Sequence, residues 1–178
     1  LLNKIVKEED IFQHAQILNR MRKNVILALH QTGKEGEASD GMDISIFTFD
    51  KKNNEFYFAG AMNPMYIIRG NEIIEVKADR MPIGIHENAE LPFTNQKLKL
   101  KKGDTIYLFT DGYIDQFGGP DGKRFQTNNF KKLLLDIQQY SLAEQQNLLK
   151  ESLEGWKRHN EQLDDILVLG IRFKDFIL

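Results

Sequence analysis

Apolar and polar positions follow two rhythms along this chain. Between residues 11 and 29 the apolar positions recur at spacings of three and four: Ile11, Ala15, Leu18, Met21 or Arg22, Val25, Ala28 and Leu29. That is the stripe of an amphipathic helix laid on a sheet. Glu8, Glu9 and Asp10 precede it, where acidic side chains suit the helix dipole, and Arg20, Arg22 and Lys23 are expected on its wet face. Residues 1–6 read as the tail of a preceding helix. After a polar, glycine-containing loop at 31–40 the period shortens to two. Strands are expected over 42–49, 55–60, 65–69 and 72–76, joined by tight turns at Lys51-Lys52-Asn53-Asn54 and Gly70-Asn71. This is an antiparallel meander. Residues 81–85 form a semi-extended apolar segment, and 92–100 should be a further strand. Helices follow over 128–139 and from Ser141 to about His159, with Ser141 and Glu144 at the spacing of a capping box. A last strand is expected over 166–173. Helix, antiparallel strands, two helices and a strand make an α+β fold with helices on antiparallel sheets.

The densest signal lies in residues 101–125. Lys102-Gly103-Asp104 is a turn, and Thr105-Ile106-Tyr107-Leu108-Phe109 is apolar enough to be a strand buried on both faces. Thr110-Asp111-Gly112 follows at once. A carboxylate there is held by the sheet, and Gly112 lets backbone, metal or phosphate come close. Near the far end, Asp164-Asp165 opens a second apolar run, Ile166 to Ile171. Two such strands side by side would offer carboxylates to a hard cation such as Mg²⁺ or Mn²⁺. Taken alone, Asp111-Gly112 reads more readily as an ordinary turn, and Asp164-Asp165 reads also as a solvated loop end. The 117–124 loop, with Gly118, Gly119, Pro120, Gly122, Lys123 and Arg124, reads either as a flap carrying phosphate-attracting charge or as a plain surface loop.

Composition narrows the field. A formal net charge of −2 over 178 residues gives no nucleic-acid footprint and no anionic-membrane binder. Without cysteine there is no disulfide, thiolate catalysis or zinc–thiolate site, which fits a reducing, cytoplasmic setting. No apolar run approaches the ~18 residues that span a bilayer. The length suits one domain or a large part of one. The first residue is leucine, so the chain reads as cut from something longer, in which the domain could be tied to a membrane. His14 and His30 have no second histidine at metal spacing and are expected to be structural or exposed.

Five segments, in order, resemble the SpoIIE/RsbU-type branch of the metal-dependent protein phosphatases, relatives of protein phosphatase 2C. They are Asp40-Gly41-Met42-Asp43-Ile44-Ser45, Ala59-Gly60-Ala61-Met62-Asn63-Pro64-Met65-Tyr66, Met81-Pro82-Ile83-Gly84, Gly103 to Gly112, and Asp164-Asp165-Ile166. The resemblance implies an antiparallel β-sandwich flanked by pairs of helices and a site for two Mg²⁺ or Mn²⁺ ions. It implies hydrolysis of phosphoserine or phosphothreonine by water that the cations activate. Asp111 and Asp164 match two metal aspartates of the family, so both are assigned metal-binding and catalytic roles, with Gly112 and Asp165 in support. Asp43 alternates with Ile44 and reads first as facing solvent or a helix, and second as taking part in the site. Asn63-Pro64 fixes a turn, Gly60 permits close packing, and 81–84 is given no chemistry.

The family's first metal motif, an Asp followed by Gly-His-Gly, is not in this sequence. The domain is therefore expected to be N-terminally truncated, to bind Mn²⁺ weakly and to turn over poorly or not at all. Unpaired strand edges would favour a homodimer. The expected partners are a phosphoprotein substrate, such as an anti-anti-sigma-factor-like regulator, and an upstream sensor or signalling domain. The competing readings are a non-catalytic phosphatase-fold binding module and a hydrolase of small phosphoesters.

Overall fold

The computed structural model describes residues 1–34, 40–50, 53 and 55–173. In chain order the elements are a π-helical turn (Lys4–Glu8), α1 (His14–Ala28), β1 (Ile44–Asp50), β2 (Glu55–Ala61), β3 (Met65–Arg69), β4 (Glu72–Val76), β5 (Gln96–Leu98), β6 (Thr105–Phe109), α2 (Gly112–Asp115), β7 (Phe117–Gly118), β8 (Lys123–Arg124), α3 (Thr127–Asp136), α4 (Leu142–Lys157) and β9 (Val168–Arg172). The α+β class and the antiparallel sheets are as the pattern predicts. Among the described residues no helix is long and apolar enough to cross a membrane. The chain divides into two compact units.

The first unit comprises Leu1–Pro64 and Lys77–Leu100. Its sheet runs β1-β2-β5, all antiparallel, with Ile44 opposite Ala61 and Phe56 opposite Leu98. The α1 stripe buries Ala15, Ile17, Leu18 and Met21 in one cluster with Ala59, Ala61, Met81 and Ile83. Two expectations about this helix fail. It starts beyond the acidic triplet, because Asp10 takes φ +55° and interrupts the chain, so no acidic residue lies in its first turn. Arg22 is buried rather than wet. Its guanidinium donates to the Leu91 carbonyl at 2.5 Å and to the Met81 sulfur at 3.2 Å, and sits 4.7 Å from the Phe93 ring centroid. Helical spacing could not foresee partners supplied by residues 81–93.

His14 is structural: Nε2 lies 2.7 Å from Thr48 Oγ1 and Nδ1 lies 3.2 Å from Asn95 Oδ1. The strand expected over 92–100 shrinks to three residues. Pro92 has no N–H to give, Phe93 N–H goes to Asn19 Oδ1 at 3.1 Å and Thr94 N–H to Asp79 Oδ2 at 2.7 Å, so none of these donors serves the ladder. Two resemblance segments meet in this unit. Met42 and Ile83 exchange both backbone hydrogen bonds, at 3.1 and 2.9 Å, and a Cβ on Gly84 would stand 2.8 Å from the Asp40 carbonyl oxygen. The turn at 51–54 lies outside the described residues except for Asn53.

The second unit comprises Met65–Val76 and the described residues from Lys101 onward. Its sheet runs β4-β3-β6-β9, all antiparallel. Along β6, Thr105, Ile106, Tyr107 and Phe109 are buried. Aromatic rings build the core between β6 and the helices: Phe109 lies 4.8 Å from Tyr66 and 5.0 Å from Phe130, and Tyr113 lies 4.9 Å from Phe130. Tyr107 donates to Gln145 Oε1 at 2.5 Å and accepts from Gln138 Nε2 at 2.6 Å, tying α4 and the turn after α3 to β6. The capping box at Ser141 and Glu144 forms as expected. Asp104, a turn residue in the sequence, is buried and takes Arg69 on both oxygens, at 2.7 and 3.0 Å. The last strand departs from expectation. It begins at Val168 and is the sheet's edge, with Leu167 60% and Leu169 46% exposed, so only one of the two acid-tipped strands is buried.

Candidate active site

The site is built where β6 ends. Phe109 pairs with Val168, so the residues that follow β6 lie beside those that precede β9. The pairing runs one step past the strands, since Thr110 N–H donates to the Leu167 carbonyl at 3.1 Å. The Thr110 hydroxyl then makes a two-way clamp, donating to the Asp165 carbonyl at 2.8 Å and accepting from Leu167 N–H at 2.9 Å. Gly112 closes the other side of Asp111. A Cβ on Gly112 would lie 2.5 Å from the Asp165 carbonyl oxygen, closer than real Cβ atoms come. What approaches this glycine is therefore backbone.

Asp111 thus sits between two residues that both touch Asp165. It stands just before α2, and its carbonyl accepts Asp115 N–H at 2.9 Å. On the facing loop, Asp164 Oδ1 accepts Asp165 N–H at 2.7 Å, and Gln162 Nε2 donates to the Asp164 carbonyl at 2.8 Å. Asp111, Asp164 and Asp165 are all exposed at this one end of the sheet. Asp43, by contrast, precedes β1 in the first unit.

The donors here are carboxylate and carbonyl oxygens, the set that hard divalent cations choose, and their exposure leaves room for the waters Mg²⁺ keeps. Among the described residues no group of three His, Cys, Asp or Glu is placed to hold a metal. The oxygen chemistry of these donors fits a hard divalent cation.

The 117–124 loop is a short β7–β8 hairpin with a docked base. Gly119 N–H donates to the Trp156 carbonyl at 2.8 Å, and the Trp156 indole N–H donates to the Gln116 carbonyl at 3.0 Å. A Cβ on Gly118 would fall 2.0 Å from the Trp156 carbonyl oxygen. Arg124 contacts Asp115 at 3.3 Å and lies 5.6 Å from the Phe117 ring centroid. Sequence reasoning gave Thr110 no role. The available signal was a hydroxyl between a buried strand and an acid, which marks a residue able to bond two loops at once.

The Stage II sporulation protein E (SpoIIE) family matches residues 2–174. Stage II sporulation protein E of Bacillus subtilis (strain 168) is 27% identical over 149 residues, which is 84% of this chain and 17% of that protein. The chain thus spans under a fifth of that relative's length. Among solved structures, the SiaA-PP2C domain of Pseudomonas aeruginosa superposes with a TM-score of 0.83 at 28% identity, covering 97% of this chain and 66% of the other. The Mn-presoaked phosphatase domain of Bacillus subtilis SpoIIE superposes at 0.61 with 21% identity, covering 99% and 72%. Both carboxylate segments fall inside the family match, and the protein belongs to the SpoIIE family of PP2C-like phosphatase domains.

Proposed function

We propose that residues 1–178 form part of a metal-dependent protein serine/threonine phosphatase domain that hydrolyses phosphoserine or phosphothreonine on a signalling regulator. The observation that carries this reading is the clamp of Thr110 and Gly112 on the 165–167 backbone, which brings the Asp111 segment beside Asp164 and Asp165. Asp111 and Asp164 would hold Mn²⁺ or Mg²⁺. When bound, such a cation offsets charge on the phosphoryl oxygens and lowers the pKa of water. The chain's own contribution is to present the two carboxylates on loops that cannot drift apart. Gly112 and Asp165 support them through their contact.

The test is phosphate release from a phosphoserine peptide and from p-nitrophenyl phosphate, with Mn²⁺ and with chelator. Mn²⁺-dependent release that falls at least about 100-fold in Asp111→Asn and Asp164→Asn supports the reading. Release that is equal in the unaltered protein and in both variants refutes it, and Mn²⁺ affinity that neither variant lowers favours a non-catalytic binding module. Release from p-nitrophenyl phosphate but no phosphopeptide marks a small-phosphoester hydrolase instead.

A further inference from the structure

We propose that Gln116 is a positioning residue whose amide fixes the Asp164 loop beside the Asp111 segment. The inference rests on the reading of those two aspartates as cation ligands. Gln116 follows α2 and is 2% exposed. Its Nε2 donates to the Glu161 carbonyl at 2.9 Å and to the Phe117 carbonyl at 3.1 Å. Its own carbonyl accepts the Trp156 indole N–H and the Phe125 N–H, both at 3.0 Å. One residue therefore joins α2, the β7–β8 hairpin, the end of α4 and the loop at 161–167.

The arrangement is bilateral. Thr110 holds that loop at Asp165 and Leu167, and Gln116 holds it at Glu161. Asp164 lies between the two points of attachment, and Asp111 lies between the two residues that make them. The side chain is not chosen for packing alone. Gln116 side-chain Oε1 is buried without a hydrogen-bond partner among the described residues, which works against stability. Exchanging the ends of the amide gives no relief, because the oxygen would then face two carbonyl oxygens. Methionine has similar length and leaves no orphan acceptor. What glutamine supplies and methionine cannot is the N–H that holds Glu161.

The test uses Gln116→Met and Gln116→Glu, two variants of near-native volume without the neutral amide donor. In metal-free protein we expect backbone amides of residues 161–167 to exchange about tenfold faster, with the unfolding temperature of Q116M unchanged or raised. The Mn²⁺ concentration for half-maximal hydrolysis of p-nitrophenyl phosphate should rise about tenfold while its KM stays the same. Unchanged exchange at 161–167 in both variants overturns the proposal. So does faster exchange spread evenly over the chain with a lowered unfolding temperature, the mark of a purely structural role. Because exchange is read without metal, it decides the matter for Gln116 even if the unaltered protein proves inert toward phosphoesters, a result that bears on the phosphatase reading alone.

Discussion

Gly112 has no room for a side chain, and Asp165 is the reason. A methyl group there would press on a carbonyl oxygen that Thr110 already holds, so backbone must move. Gly112→Ala is expected to cost about 1–3 kcal/mol in denaturant unfolding and to lose most Mn²⁺-dependent hydrolysis; a variant with unaltered stability would show that the contact can relax. His14 makes a different prediction. Burial lowers its pKa from the ordinary 6.5, against a smaller opposing effect of the Asn95 hydrogen bond. The folded protein thus prefers the neutral ring, while the unfolded chain takes up a proton near 6.5. The stability this group contributes is complete above that pH and declines as pH falls below it. Unfolding midpoints at pH 7.5 and 5.5 should differ less in His14→Gln than in the unaltered protein, and an identical difference would exclude His14 as the source. At this scale the sequence was a partial guide. Ser141 and Glu144 could be read because they are partners only three residues apart. Arg22, Asp104, Thr110 and Gln116 could not, because each is defined by a partner far along the chain.

Elements were more legible where periodicity and local chemistry agree. β3, β4 and β6 fall where alternation and turn residues put them, since their turns close within a few residues. β5 and β9 came out shorter than the pattern suggests. Side chains of Asn19 and Asp79 capture the donors ahead of β5, and the loop before β9 is given over to Thr110 rather than to the ladder. The capping box on α4 allows a direct check. Ser141→Ala removes the acceptor for Glu144 N–H, should cost about 1 kcal/mol, and should lower the unfolding temperature by about 2–4 °C for a chain of this size. An unchanged unfolding temperature would mean that α4 is held by its buried face alone, through Leu149 and Leu153.

For the molecule as a whole, the account turns on how many cations these residues can hold. The sequence has no Gly-His-Gly segment, and the proposed cation ligands are Asp111 and Asp164, with Asp165 N–H hydrogen-bonded to the Asp164 carboxylate. One weak Mn²⁺ site is expected for this 178-residue polypeptide by calorimetry; two tight sites would show that other groups complete the set. The family, the α+β class and the end of the sheet that bears the acids were all legible in the sequence, because five short segments keep their order. The edge position of the last strand was not, since an apolar run reads alike at an edge and in a sheet's centre. The most direct test of the central claim is a double-mutant cycle on Mn²⁺ affinity with Asp111→Asn, Asp164→Asn and both together. If the two carboxylates share one ion, each single variant abolishes most of the binding and the pair loses little more. Losses that simply add would place the two carboxylates on separate ions and contradict the account.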